Sequence, residues 1–364
     1  MSKKEVRIAI VGCGHIANHV HIPGLKTCLD VEVVAGCDTN EANLERTDAE
    51  HGLAARYTDY RRMLDEVKPD AIIVATPNVY HPETCMAAFQ RHMAVLCEKP
   101  LANTLVEAQR MCDAADRSGS IGMVAYTYRF VPAMRYLKHL IDSGALGKVR
   151  HMRAVYLQEV PAGWLGWRSD AASAGSGTLG DIGSHLIDFA HYLVGDMESL
   201  CADTARIVER TSPEGKDSDV DDWTAFIVKF TNGGTGVFEA TRTATGRGCG
   251  PTENEFVEIN GDRATAIYSL QDPNAIRFAE RGDTVRHLVP DEFLRVPGAT
   301  RGTSPADGDP RVLFRYDQAF TFIDAVRGGM LPYPTFLDGM RCQTVLEVVA
   351  RAVVDHTWET ITHC

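Results

Sequence analysis

The chain has 364 residues, 45% of them hydrophobic, which is enough for two packed domains with separate cores. Its formal net charge of −12, with no block of Lys and Arg, argues against nucleic acid or an anionic membrane surface as a partner. No apolar run reaches membrane-spanning length, and the start passes directly into a strand-like run without an apolar leader, so a cytoplasmic protein is expected. The ten cysteines are scattered and contain no C-x-x-C pair; they read as reduced, mostly buried thiols, not as a disulfide framework or a zinc site.

Val6 to Val11 is an apolar strand broken only by Arg7, and it leads into Gly12-Cys13-Gly14-His15-Ile16-Ala17 and a helix-like segment. This is a dinucleotide-binding turn in its proper context. Gly12 permits the tight turn, Gly14 lets the backbone approach a pyrophosphate, and Ala17 keeps helix and strand close. Gly12, Gly14, His15, Ile16 and Ala17 are the expected cofactor-binding residues here. His15, His19 and His21 resemble metal ligands at first sight, with His15 and His19 spaced i, i+4. No carboxylate or cysteine completes a ligand set, so no metal is assigned.

The next strand, Val31 to Cys37, ends at Asp38, near the position about 20 residues beyond the glycines where a ribose-binding acid is expected. A carboxylate there accepts from the ribose 2′-hydroxyl and repels a 2′-phosphate. Thr39 and Asn40 follow with no adjacent arginine, so NAD is favoured over NADP. A second role for Asp38, capping the helix that begins at Glu41, is compatible with the first.

Alternation continues through a short strand-like piece at Ala54 to Tyr57 and a helix around Tyr60 to Glu66. The apolar strand Asp70 to Ala75 ends in Thr76-Pro77-Asn78, followed by Tyr80-His81-Pro82 and a helix to His92. Thr76, Pro77, Asn78 and His81 are placed to line a cofactor, although turn chemistry alone also accounts for them. Then come Met93 to Leu96 and Cys97-Glu98-Lys99-Pro100. A lysine at the end of a buried strand is unusual, because an unpaired buried ammonium costs several kcal/mol. Pro100 stops the strand. Ligands bind at the carboxyl ends of strands in an open α/β sheet, so Lys99 stands where a substrate hydroxyl could meet a cofactor. An ion pair with Glu98 or another acid is the structural alternative. A helix from Thr104 to Ala115 and a strand from Ile121 to Ala125 complete a doubly wound parallel sheet over residues 1–126.

From residue 127 the pattern changes. A helix runs from Tyr128-Arg129-Phe130-Val131-Pro132 to about Asp142. Strand signals follow near Val149–Val160, Leu200–Glu209, Trp223–Phe230, Gly236–Thr243, Glu255–Ile259, Ala264–Ser269 and Ala275–Glu280. Hairpin chemistry stands at Asn232-Gly233-Gly234 and Asn260-Gly261-Asp262. Residues 127–364 are therefore expected to form an α+β domain on a large, mostly antiparallel open sheet with helices. Pro290 to Asp309 reads as a surface loop, and Arg311 to Arg327 and Gly339 to His356 as amphipathic helices.

Between the first two of these strands lies Gly175-Ser176-Gly177-Thr178-Leu179-Gly180, then Asp181-Ile182-Gly183-Ser184-His185, opening a helix. Asp181 and His185 share a helix face at i, i+4. A carboxylate beside an imidazole fixes its orientation, and an unperturbed His pKa of about 6.5 suits proton transfer near neutrality. A helix-start carboxylate with a satisfied core histidine explains the same spacing. Asp188 supports His185 or is simply solvated. Arg129, Tyr156, Gln158, Trp164, Trp167 and Arg168 are candidates for lining a sugar-sized pocket, as are Arg242 and Arg247, each with a structural alternative.

The whole set resembles the Gfo/Idh/MocA oxidoreductases. The resemblance rests on Gly12-x-Gly14-x-x-Ala17, Glu98-Lys99-Pro100, Arg129-Phe130 with Pro132, and Gly180-Asp181-Ile182-Gly183-Ser184-His185, and it covers almost the whole chain. Ala17 replaces the third glycine, and Thr127 stands where an asparagine is often found. The resemblance implies a Rossmann domain that binds NAD, with Glu98 and Lys99 at the cofactor, and a second domain that binds substrate and supports a homo-oligomer, a dimer or tetramer. It implies Lys99, Asp181 and His185 as the catalytic group. Hydride would pass between a secondary alcohol of a sugar, glycoside or cyclitol and the nicotinamide. The alternatives are an NADPH-dependent keto-sugar reductase, which Asp38 disfavours, a glycosidase using bound NAD, and a non-catalytic NAD-sensing regulator, which would be expected to have lost part of the Lys99, Asp181 and His185 set.

Overall fold

The computed structural model describes residues 5–161, 165–209, 217–248 and 254–362. Trp164, Cys249 and Cys364 lie outside the described residues. The chain divides into two compact units.

The first unit is built on a six-stranded parallel sheet. Its strands are β1 (Val6–Val11), β2 (Val31–Cys37), β3 (Arg56–Tyr57), β4 (Ala71–Val74), β5 (Ala94–Cys97) and β6 (Gly122–Val124), in the order β3-β2-β1-β4-β5-β6. β4 and β5 are buried at every position, as strands covered on both faces must be. Between them run α1 (Ile22–Lys26), α2 (Glu41–His51), α3 (Tyr60–Val67), α4 (His81–Phe89) and α5 (Leu105–Ser118). Local chemistry sets their ends. Asn40 and Asp59 cap α2 and α3, and Thr104 and Glu107 form a reciprocal capping box on α5, which Gly119 closes in the left-handed region. The order reverses between β1 and β4, which makes their carboxyl ends the switch point where α/β sheets take ligands.

The second unit carries a nine-stranded sheet. Its strands are β7 (Val149–Leu157), β8 (Met197–Ala205), β9 (Trp223–Phe230), β10 (Thr235–Thr241), β11 (Asn254–Gly261), β12 (Ala264–Ser269), β13 (Ala275–Glu280), β14 (Asp283–Leu288) and β15 (Glu359–Thr360). The order is β14-β13-β12-β11-β7-β10-β9-β8-β15, antiparallel except where β7 meets β10. Both expected hairpin turns are present, joining β9 to β10 and β11 to β12. Burial alternates along β12, so one face of the sheet is covered. The cover comes from α6 (Pro132–Asp142), which packs on β12 and β13, and α8 (Ser184–Leu193), which packs on β7; α7 (Ala171–Ala174) is a single turn before α8. β14 was not expected from the sequence because almost all its side chains are exposed and it shows no alternation.

The helical region at Arg311 to Arg327 is two helices, α9 (Pro310–Leu313) and α10 (Arg315–Val326), and the last helix is α11 (Phe336–Asp355). Val296–Gly302 and Arg315–Met340 belong to the first unit, so the division differs from a single cut after residue 126. The reason is packing: Ala319, Phe322 and Ile323 of α10 join Ile8, Ile10, Ile73, Leu96 and Met123 in the core of the parallel sheet. Burying a Phe of this kind contributes about 1.5–3 kcal/mol. Val296–Gly302 is held by Arg301, whose guanidinium donates to both oxygens of buried Asp317 at 2.6 and 2.9 Å. The stretch expected as a surface loop is therefore partly buried.

Candidate active site

In the first unit the site grows from the carboxyl ends of β1, β2, β4 and β5. Gly12 has φ +94°, and a Cβ there would lie 2.5 Å from the Ala75 carbonyl, so only glycine fits. Gly14 faces open space, with nothing within 4 Å of where its Cβ would stand. That bare backbone fits a pyrophosphate. The helix after it opens with a π-helical turn, Ala17–His21, a form frequent at functional sites. His15 is exposed and stacks on His19 with ring centroids 4.1 Å apart.

Asp38 is held from three sides. Its Oδ2 accepts from Cys13 N at 2.9 Å and Asn43 Nδ2 at 3.1 Å, and its Oδ1 accepts from Asn40 N at 2.8 Å. The carboxylate is thereby fixed beside the glycine turn. It does not cap α2, since Asn40 does that. Asn43, one turn into α2, had no sequence signal for this role.

Thr76 and Pro77 follow β4 and are half-buried, and Asn78 is buried. His81 departs from expectation. It is fully buried, with Nδ1 3.1 Å from the Pro100 carbonyl and Nε2 3.0 Å from the Thr76 carbonyl. It ties the loop after β4 to the loop after β5, and its ring is closed to a ligand. Burial holds its pKa below the ordinary histidine value despite both carbonyls.

Glu98 and Lys99 leave β5, and the Lys99–Pro100 peptide is cis. His21 Nε2 lies 2.9 Å from Glu98 Oε1, while Glu98 Oε2 accepts from Lys99 N at 3.2 Å. Burial pushes the Glu98 carboxyl up, but the His21 hydrogen bond and charge, with the Lys99 charge, outweigh it and leave the group below its usual range.

The second unit supplies the other candidates. The segment Leu179–Gly183 is again a π-helical turn, leading into α8. The loop before it is anchored by Asp221, whose oxygens accept from Gly177 N and Leu179 N, each at 2.8 Å. Asp181 Oδ2 accepts from Arg242 Nη2 at 2.9 Å, and Arg168 Nε lies 3.7 Å from its Oδ1. His185 is 7% exposed. Tyr128 meets its ring edge-on at 4.6 Å, and the Tyr128 and Tyr156 hydroxyls are 2.7 Å apart. Tyr156 thus reaches the histidine's surroundings, with ring centroids 6.2 Å apart, while Arg168, beside Asp181, stacks over Trp167 at 4.4 Å.

Arg129 is a correction. Expected to line the pocket, it is instead sealed against Asp188, with Nε 3.0 Å from both oxygens and Nη2 2.5 Å from Oδ1. Asp188 is correspondingly neither solvated nor exposed.

Residues 6–126 match the model of an oxidoreductase family with an NAD-binding Rossmann fold, and residues 134–267 match the GFO/IDH/MocA C-terminal domain. Levoglucosan dehydrogenase of Pseudarthrobacter phenanthrenivorans is 30% identical over 326 residues, covering 83% of this chain and 82% of that protein. The chain belongs to the Gfo/Idh/MocA oxidoreductases. Within that family, D-glucoside 3-dehydrogenase of Escherichia coli is 35% identical over 54% of this chain and 56% of its own. A solved levoglucosan dehydrogenase in complex with NADH superposes with a TM-score of 0.89 at 26% identity, covering 99% of this chain and 100% of that one. Among the described residues no helix is long and apolar enough to cross a membrane, and no disulfide joins the eight described cysteines.

Proposed function

We propose that this Gfo/Idh/MocA oxidoreductase moves hydride between NAD and a secondary alcohol of a sugar, glycoside or cyclitol, with Lys99 and His185 acting on the alcohol oxygen. The observation that carries the reading is the fixed Asp38 carboxylate beside the open Gly14 backbone, on the same sheet edge to which β5, two strands along from β1, delivers Lys99. Gly12, Gly14 and Asp38 would hold NAD, with Thr76, Pro77 and Asn78 along its edge. NAD, when bound, supplies the hydride acceptor.

His185 removes the hydroxyl proton. Its ring is fixed edge-on by Tyr128, which reduces the reorganisation needed at that moment. Lys99 donates a hydrogen bond to the same oxygen and stabilises the negative charge that develops on it. Asp181, held by Arg242 and Arg168, keeps the polar wall of this region charged and oriented. In the reverse direction the same groups return the proton. The names of the relatives, for levoglucosan and D-glucosides, point to the same class of ring polyol.

The uncovered face of the nine-stranded sheet presents Ile227 and Val237 as a cross-strand pair, exposed at 47% and 39%. We propose that a second copy covers it in a homo-oligomer, which light scattering would read as a multiple of 39.9 kDa. The free-thiol inventory fits a reducing, cytoplasmic setting.

The decisive test is NADH production, followed by absorbance, against a panel of inositols, aldoses, 1,6-anhydrosugars and glycosides, with NAD and NADP in parallel. Turnover with NAD and one class of ring polyol is expected. Silence across the panel, with NADH binding shown by fluorescence, would overturn the dehydrogenase reading.

A further inference from the structure

His21 is the one histidine of the glycine-turn cluster turned inward, buried to 2%. The π-helical turn Ala17–His21 places it there, because an inserted residue shifts the face that the following side chains present. Its Nε2 meets Glu98 Oε1 at 2.9 Å, and the carboxylate's other oxygen accepts from the backbone N–H of Lys99 at 3.2 Å. Pro100 has no N–H, so the Lys99 amide is the last backbone donor as the chain leaves β5. Glu98 N in turn donates to Val74 O at 2.9 Å, so this corner is pinned to β4 by its backbone and to the glycine-turn helix by its side chain.

We propose that His21 is a positioning residue for Lys99: through the Glu98 carboxylate it fixes the backbone from which Lys99 reaches the reacting oxygen, and links that position to the helix that receives the cofactor pyrophosphate. A buried polar pair is a poor device for stability alone, since apolar groups of similar volume serve as well or better. It does define one geometry, because each carboxylate oxygen has a single directed partner. Mispositioning a reacting group by about 1 Å can cost about 100-fold in rate. The inference rests on the proposed role of Lys99.

The test uses the full chain in four forms: wild type, His21→Leu, His21→Gln and Lys99→Met. Turnover is read with the fastest sugar of the panel above, and NADH affinity by fluorescence. The Lys99 ammonium is followed directly by NMR after 13C reductive methylation, its signal assigned by loss in Lys99→Met. His21→Leu should lower kcat about 10-fold or more, shift or broaden the Lys99 signal, and leave NADH affinity within about threefold. His21→Gln, which keeps a donor toward Glu98, should recover most of kcat and the native signal. An unchanged Lys99 signal and kcat in His21→Leu would overturn the proposal, as would equal losses in His21→Gln and His21→Leu. If Lys99→Met keeps full activity, the role of Lys99 fails instead. If His21→Leu does not fold, the Gln variant and the Lys99 signal decide.

Discussion

Arg129 and Asp188, 59 residues apart, form a bidentate pair sealed inside the second unit, with side chains 4% and 2% exposed. The pair joins the segment that opens α6 to the helix that carries His185, and Tyr192 of the same helix lies 5.2 Å from the guanidinium. A guanidinium so buried needs its partner more than the fold needs the pair.

Removing one member should therefore be far worse than removing both. Asp188→Asn or Arg129→Met is expected to cost about 3–5 kcal/mol of unfolding free energy, because the remaining buried charge loses its bidentate partner. The double substitution Arg129→Met/Asp188→Leu should recover part of the loss. Urea denaturation of the three variants measures this, and strictly additive losses would exclude a coupled pair.

The contrast with Asp38 shows what the sequence made legible. The end of β2 could be placed because its strand is a buried apolar run, and Asp38 stands at a fixed distance from the glycines. β1, β4, β5 and β6 were readable from the same apolar pattern, whereas β3, two residues Arg56–Tyr57 that are not buried, carried only a weak signal. Arg129 could not be assigned, since its partner is remote in sequence and only folding brings the two together. His81 opens α4, and its place in the chain does not reveal which way the ring turns, so its burial between two carbonyls is not legible in the sequence. The helix at Arg315–Val326 was plain from its periodicity, but an apolar stripe does not say which core it enters. β14, exposed along nearly its whole length, carried no pattern at all.

Lys99→Met and His185→Ala should separate chemistry from binding. Losing a positioned acid–base group typically costs about 100- to 10,000-fold. Both variants are expected to lose turnover in that range while NADH affinity stays within about threefold, as read by fluorescence titration. A matching loss of NADH affinity would show that the substitution had disturbed the cofactor site instead.

Asp38→Ala should relax coenzyme choice. Three hydrogen bonds fix the carboxylate, including one from Cys13 N in the glycine turn, so the substitution also loosens that turn. NADH affinity is expected to fall about 10-fold, equivalent to about 1.4 kcal/mol. The ratio of kcat/KM for NAD over NADP should drop by a similar factor. An unchanged ratio would remove Asp38 from ribose recognition.

His81 makes stability depend on pH in a defined direction. Burial lowers its folded pKa below the unfolded value of 6.5, so the unfolded chain takes up this proton first as the solution is acidified. The contribution is fully present above pH 6.5 and is lost as pH falls below it toward the folded value, at up to about 1.4 kcal/mol per pH unit. His81→Gln keeps a donor for one of the two carbonyls, at Thr76 or Pro100, but has no proton to gain. The destabilisation caused by His81→Gln should therefore be largest at pH 7 and shrink steadily toward pH 5. Urea unfolding of both proteins at half-unit intervals measures the difference directly. A difference that stays constant with pH would mean that His81 takes up its proton equally in the folded and unfolded chains, and that burial does not govern it.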